Sequence, residues 1–283
     1  MMSAPPLPGW YPLLRARALN DRPVTRMLAG TPLHLWREVG GIRASDAATG
    51  GQRLAQESGG WIMVAKGDPP TERSPAPSLL DRPFAHILIE GSVCAAMGDV
   101  GENILDTTHT SVVHQDYLRR PDARRPVDVL MASGEGWISA TYPPGAAPGG
   151  WGARLLGAHR YTIRDTFRAP GIAEVSYTAE DRPVFAGRFC LTPVSPGETY
   201  VAATLAVPGR GLAATLKLAA LRLFFQRIFD EDRAILESIG LNRAAHGAAP
   251  IVYAPQDILR PGIEAILAGR RPAVPVARIA LMV

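Results

Sequence analysis

The sequence predicts an α+β protein: a small N-terminal β region, then an antiparallel sheet curved around one long helix. Three observations predict it. Strand-like runs follow one another from Val127 to Val207 at roughly 8–12-residue spacing, the pattern of an antiparallel sheet rather than of alternating β-α units. A long amphipathic segment, from about Leu212 to Ile239, can cover one face of such a sheet. A Pro- and Ser-rich stretch, TERSPAPSLLDRP (residues 71–83), sets these elements apart from an earlier region of strands and turns and marks the expected domain boundary.

Composition bounds the function classes. The chain has 283 residues, 47% apolar and 20% charged, which fits one large domain or a catalytic domain with a small appendage and excludes wholesale disorder. Lys66 and Lys217 are the only lysines among 30 basic residues, and the formal charge of +4 is spread along the chain, so nucleic acid is not an expected partner. Met1 to Trp10 lacks a basic start followed by an apolar core, so no secretory signal is expected. No run approaches the ~20 apolar residues of a membrane span. The expectation is a soluble cytoplasmic protein. Two cysteines, Cys94 and Cys190, are too few for a disulfide scaffold, a Cys-rich zinc site or a ferredoxin-type cluster.

Taken in order, GTPLHLWREVGGIRA (Gly30 to Ala44) alternates apolar and polar residues and meets Gly-Gly, a hairpin signal. SDAATGGQRLAQESGG (Ser45 to Gly60) has room for a hairpin turn, and WIMVA (Trp61 to Ala65) is a short apolar strand closed by GDPP. FAHILIEG (Phe84 to Gly91) opens the second part as a strand, followed by a helix containing GENILDTTHTSVVHQDYLRR (Gly101 to Arg120). VDVLMA, GWISATY, HRYTIRDTFRA, IAEVSYTA, PVFAGRFCLTP and TYVAATLAV supply the sheet. The long helix is expected to stop at Gly240. A weaker helix is expected over Gln256 to Ala268, interrupted by Pro261.

The chemistry-bearing segment is ENILDTTHTSVVH, Glu102 to His114. Asp106 and His109 stand at i and i+3, neighbours on one helical face. His109 and His114 are five apart, and at about 100° per residue a regular helix separates them by about 140°. Both imidazoles reach one metal only where the helix is bent or bulged. A carboxylate would complete a 2-His-1-carboxylate facial triad, the arrangement that leaves positions open on non-haem Fe(II). FDEDRAILE (Phe229 to Glu237) on the long helix offers one. Phe225, Ile228, Ile235, Leu236 and Ile239 mark its apolar stripe, with Asp232 on or beside it and Asp230 away from it. An acid on a core-facing stripe is costly unless it holds a metal or cation, which favours Asp232. In isolation FDED also reads as a solvated helix turn, and two histidines near an acid also read as surface or hydrogen-bonded core residues. His34, His86, His159 and His246 have no ligand-like company. Cys94 and Cys190 read as buried inert thiols. No Ser-His-Asp elbow, phosphate loop or dinucleotide fingerprint occurs.

Together these pieces resemble the terminal oxygenase (α) component of Rieske non-haem iron oxygenases. ENILDTTHTSVVH resembles that family's E-N-x-x-D-x-x-H-x-x-x-x-H iron signature, and FDEDRAILES its carboxylate-bearing segment, with Asp232 at the ligand position. LTPVSPGETYVAATLAV (Leu191 to Val207) is similar to its late strands. GWYPL and ESGGWIMVAKGDPP (Glu57 to Pro70) are similar to the first and last strands of its Rieske domain. The resemblance implies a helix-grip (Bet v 1/START-like) catalytic domain over residues 84–283 and a truncated Rieske-like β domain over residues 1–83. It implies mononuclear Fe(II) on His109, His114 and Asp232. Asp106 would bridge that site to a neighbouring subunit's Rieske cluster, accepting a hydrogen bond from His109, with Asn103 in support. A homotrimer or hetero-oligomer is implied as well.

The chain departs from the family in one respect. A Rieske [2Fe-2S] cluster needs C-x-H and C-x-x-H pairs, and the sequence has neither. No cluster is expected in this chain, so electrons for O₂ activation would come from a separate Rieske-containing protein or reductase, as in the cluster-lacking N-demethylases of the family. Arg119, Arg120, Arg124 and Arg125 follow the iron segment and could recruit an acidic donor, or form a solvated loop. The implied reaction is hydroxylation or oxidative demethylation of an apolar or aromatic small molecule. A non-catalytic oxygenase subunit, a carrier of hydrophobic ligands and an iron enzyme drawing electrons from its own substrate stay open.

Overall fold

Period-two alternation of apolar side chains assembles the strands into three sheets, all antiparallel in their pairings. The computed structural model describes residues 6–68, 84–114, 125–145, 161–180, 182–247, 252–273 and 277–283. The expected linker, Arg119, Arg120, Arg124 and His159 lie outside the described residues.

The N-terminal part contains two small sheets. β1 (Gly9–Arg15), β7 (Trp61–Lys66) and β6 (Ala55–Ser58) form one, in the order β1-β7-β6. β2 (Val24–Leu28), β3 (Thr31–Glu38), β4 (Gly41–Asp46) and β5 (Gln52–Arg53) form the other, in sequence order. Tyr11, Leu13, Leu33, Leu35, Ile62 and Val64 fill the space between them. The Ser45 to Gly60 stretch is more than a turn. Asp46 closes a tight bend by accepting the N–H groups of Ala48 and Thr49, both at 3.0 Å, and β5 and β6 follow directly.

The large sheet has eight strands in the order β15-β9-β10-β11-β12-β13-β14-β8. Its members are β8 (Phe84–Val93), β9 (Pro126–Gly134), β10 (Trp137–Tyr142), β11 (Thr162–Arg168), β12 (Ile172–Ala179), β13 (Arg182–Ser195), β14 (Glu198–Pro208) and β15 (Ala277–Met282). β8, first in sequence, pairs along its whole length with β14, from Val93 opposite Thr199 to Phe84 opposite Pro208. The segment between β8 and β9, which carries the histidine motif, therefore has to cross the sheet. β15 had no sequence expectation; it is a short edge strand paired only with β9.

Among the described residues four helices cover one face: α1 (Met97–Leu105), α2 (Thr110–Val113), α3 (Leu212–His246) and α4 (Arg260–Leu267). Leu218, Leu221, Phe224 and Leu236 of α3 are buried in the core of the large sheet, each contributing roughly 1.5–3 kcal/mol by leaving water. Ile235 and Ile239, expected on that stripe, are exposed, so the buried face is rotated from the expected one. α3 does not stop at Gly240. A Cβ there would lie 2.6 Å from the Cys94 carbonyl oxygen, so glycine serves a close approach, and the helix ends at Gly247 with φ +81°. Pro261 sits in the first turn of α4, where its missing N–H costs nothing, and so starts the helix rather than interrupting it.

The N-terminal sheets pack on the opposite face of the large sheet. Trp61 and Met63 meet Ala202, Cys190 and Tyr200. Trp61 Nε1 donates to Thr204 Oγ1 at 3.1 Å, Thr192 Oγ1 to the Pro12 carbonyl at 2.6 Å, and Arg15 Nη2 to the Leu88 carbonyl at 2.9 Å. Cys190 lies in this seam, where burial pushes its thiol up to about 11. Cys94 is exposed, contrary to the expectation of a buried thiol.

α1 is fastened to α4 by the buried guanidinium of Arg260 and to α3 by Arg243. Arg260, 7% exposed in its side chain, holds Asp99 at 2.8 Å, Glu102 at 2.5 Å and Glu264 at 2.9 Å, and Arg243 of α3 also reaches Asp99. Removing one partner of a buried ion cluster leaves charge without compensation. Arg260→Ala is expected to lower stability by about 3–5 kcal/mol in urea denaturation, and a loss below ~1 kcal/mol would show that the cluster fastens little.

Candidate metal centre

The histidine motif does not continue as one helix. Asp106 takes an extended ψ of 103° and ends α1. Its carboxylate accepts the Thr108 N–H at 2.7 Å, the Thr108 hydroxyl at 2.6 Å and the His109 N–H at 3.2 Å. This is the local alternative to helical bonding that Asp side chains offer. Thr110 Oγ1 and Ser111 Oγ then donate to the carbonyls of Thr107 and Thr108, and the short α2 begins. His109 and His114 flank α2, His109 as its N-cap and His114, with φ −112° and ψ 35°, as its non-helical C-cap. The rings lie 5.2 Å apart, centroid to centroid, at 76°.

α3 brings Asp232 against both rings. Asp232 Oδ1 is 3.0 Å from His114 Nε2 and 3.5 Å from His109 Nε2. Apart from that carboxylate, neither buried Nε2 has a hydrogen-bond partner. Among the described residues His109, His114 and Asp232 are the one group of metal-capable side chains brought together, with ligand atoms within 4.8 Å of one another. Two imidazole nitrogens converging on one carboxylate oxygen, with no other polar partner, fit a divalent cation of the borderline type. Burial works against the charged form of Asp232, but the imidazoles outweigh it and hold its carboxyl below the ordinary range. Burial also opposes the charge on His114, and there Asp232 and Glu231 outweigh it and raise the ring's pKa. Asn103 Nδ2 lies 3.4 Å from Asp232 Oδ1.

Asp106 differs from its expected role in one contact. The His109 Nδ1 bond goes to the Asp106 main-chain carbonyl, at 2.5 Å, while the carboxylate stands 3.7 Å from that nitrogen. The carboxylate is already engaged by the turn. Asp230 is exposed and interacts with Gln226 and Arg233, away from the site. Of the other histidines, His34 contacts Thr25 Oγ1, and His86 and His246 are exposed. Sequence reading missed Glu231, whose Oε2 lies 2.9 Å from His114 Nδ1. No periodicity signals it, because the contact depends on how α3 lies against α2.

The site opens into a cavity of about 150 Å³ between sheet and helices. Its wall includes an unbroken chain of rings: Tyr161 to Tyr177 at 5.7 Å, Tyr177 to Phe185 at 5.5 Å, and Phe185 stacked on Phe225 at 5.3 Å. Two glycines let the helices come this close. A Cβ at Gly91 would lie 2.6 Å from the Phe229 ring, and one at Gly101 would lie 2.8 Å from Phe167.

A family model described as the vanillate O-demethylase oxygenase C-terminal domain matches residues 95–256, more than half of the chain. The chain belongs to this family, the α components of Rieske non-haem iron oxygenases. Its relatives are enzymes, and membership makes this chain a non-haem iron oxygenase in type. No curated protein matches it by sequence. Among solved structures it resembles dicamba monooxygenase bound to 3,6-dichlorosalicylic acid (TM-score 0.75, 17% identity, covering 92% of this chain and 95% of that one). It also resembles the terminal oxygenase of carbazole 1,9a-dioxygenase from Nocardioides aromaticivorans IC177 (TM-score 0.62, 13% identity, 96% of each chain). A third is NdmB of Pseudomonas putida CBB5 (TM-score 0.68, 13% identity, 90% of this chain and 88% of that one). At these identities the likeness speaks for the fold. Among the described residues no helix is long and apolar enough to cross a membrane.

Replacing His109, His114 or Asp232 by alanine is expected to weaken Fe(II) binding by more than the 10–100-fold typical of losing an outer partner. Metal content after anaerobic Fe(II) loading and desalting reads this directly. Full iron occupancy in the His109→Ala variant would refute the assignment.

Proposed function

We propose that this oxygenase holds one mononuclear Fe(II) on His109, His114 and Asp232 and hydroxylates, or oxidatively demethylates, an apolar or aromatic small molecule. The observation that carries this reading is the pair of buried Nε2 atoms converging on Asp232, with no other polar partner, at the end of an aromatic-walled cavity. Bound Fe(II) supplies the reductive activation of O₂. The chain's residues do the rest. Nε2 of each histidine offers its lone pair, and Asp232 supplies the anion that a divalent cation needs inside an apolar wall. The Asp106 carbonyl fixes the His109 ring by accepting from its far nitrogen. The ring-lined wall excludes water and holds a flat apolar substrate beside the metal. Overall, R–H, O₂, two electrons and two protons give R–OH and water; where R–H is a methyl group on O or N, the product releases formaldehyde.

The electrons come from outside the chain in this reading. Neither Cys94 nor Cys190 belongs to a C-x-H or C-x-x-H pair, so we place the [2Fe-2S] cluster on a separate Rieske-type protein or reductase. Asp106, with 31% of its side chain exposed, is the proposed point of approach, because it touches the shell of His109 and still meets solvent. A homotrimer or hetero-oligomer in the cytoplasm completes the proposal. A truncated Rieske-like fold over residues 1–83 and a helix-grip domain over 84–283 are part of it. The apolar cavity also suits a ligand carrier, which would bind without consuming O₂.

Two measurements test the proposal. The purified chain should bind one Fe with no Rieske absorbance in its visible spectrum; cluster bands, or no iron after reconstitution, would remove its basis. Turnover with an added Rieske reductase should exceed that of an Asp106→Asn variant by at least about tenfold, the scale of losing a metal-site outer partner. Equal rates would sink the relay role of Asp106.

A further inference from the structure

We propose that Glu231 is a positioning residue for the metal site, fixing the tautomer of His114 and supplying a second negative charge behind it. This rests on reading His109, His114 and Asp232 as the ligands. His114 has no exposed side-chain surface, and both its ring nitrogens face carboxylates. Nδ1 lies 2.9 Å from Glu231 Oε2, and Nε2 lies 3.0 Å from Asp232. A carboxylate only accepts hydrogen bonds, so both contacts favour an N–H; where a cation takes the Nε2 lone pair, Glu231 keeps the proton of the neutral ring on Nδ1. The lone pair is then on Nε2, the atom that points at Asp232 and the His109 ring.

His109 is prepared in the same sense by a different acceptor, the main-chain carbonyl of Asp106. The two histidines therefore share a tautomer but differ in electrostatics. The carbonyl is a dipole, whereas Glu231 is an anion. Together Asp232 and Glu231 balance the charge of a divalent cation in a cavity with mainly apolar walls. Arg227 Nε approaches the other oxygen of Glu231 at 3.1 Å, but 63% of its side chain is exposed, so water screens much of its pull. Both residues come from α3, as does Asp232, so one helix delivers a ligand and the partner of another ligand in consecutive positions.

Glu231→Gln keeps the size of the side chain and removes its charge. Its amide group can also donate to Nδ1, which favours the opposite tautomer and places a hydrogen on the ligating nitrogen. The test is Co(II) titration of the metal-free full-length chain against a competing chelator, with the Co(II) d–d spectrum as a second readout. Glu231→Gln should bind Co(II) 10–100-fold more weakly and with a shifted d–d spectrum, while unfolding like the wild type without metal. Glu231→Asp should recover part of the affinity, and Arg227→Gln should stay within about threefold of the wild type. Affinity within about threefold for Glu231→Gln, or an equal loss in Arg227→Gln, would overturn the role of Glu231 while leaving the ligands in place. If the wild type binds no Co(II), or His109→Ala binds it equally well, the ligand reading itself fails and this proposal with it.

Discussion

The Asp106 carboxylate, by accepting hydrogen bonds from Thr108 and His109, ends one helix and lets another begin at Thr110. The geometry of the candidate metal centre depends on that interruption. Asp106 sets where α2 starts and how it leaves α1, and the two ends of α2 carry His109 and His114 to Asp232. The same residue thereby has a structural duty that any electron-transfer duty has to share. Its carboxylate is held by the turn, and its main-chain carbonyl orients the neighbouring imidazole.

The interrupted segment is useful only because α3 comes close enough to complete it. That approach is set by side chains that are absent: Gly91 lets Phe229 sit directly on β8, and Gly101 lets α1 sit on Phe167. Arg260 then prevents α1 from sliding, through contacts to Asp99 and Glu102 in the turns before Asp106. Local polar geometry, close packing and a buried ion cluster thus act in series on two imidazoles.

Much of this was legible in the sequence. The strands between Val127 and Val207 showed their alternation, and each forms in the antiparallel sheet. Asp232 could be told from Asp230 by its position relative to the apolar residues of α3. The misreadings have physical causes. Propensity alone makes Gly240 a stop and Pro261 an interruption, but close packing against Cys94 retains the one and a helix first turn accepts the other. Ile235 and Ile239 are apolar yet exposed, so the stripe drawn through them was rotated from the buried face. Glu231, Arg260 and the pairing of β15 with β9 were invisible because each depends on contacts between elements far apart in the chain.

β14 faces two ways, with Ala203 and Leu205 in the cavity wall and Ala202 and Thr204 against the N-terminal sheets. The strand that lines the substrate space is thus the one on which Trp61 rests, bonded through Thr204. A chain stripped of residues 6–68 would expose the apolar back of its own cavity wall to water and lose the stiffening on that side. This gives the N-terminal sheets a structural reason to persist: they are the outer masonry of the pocket.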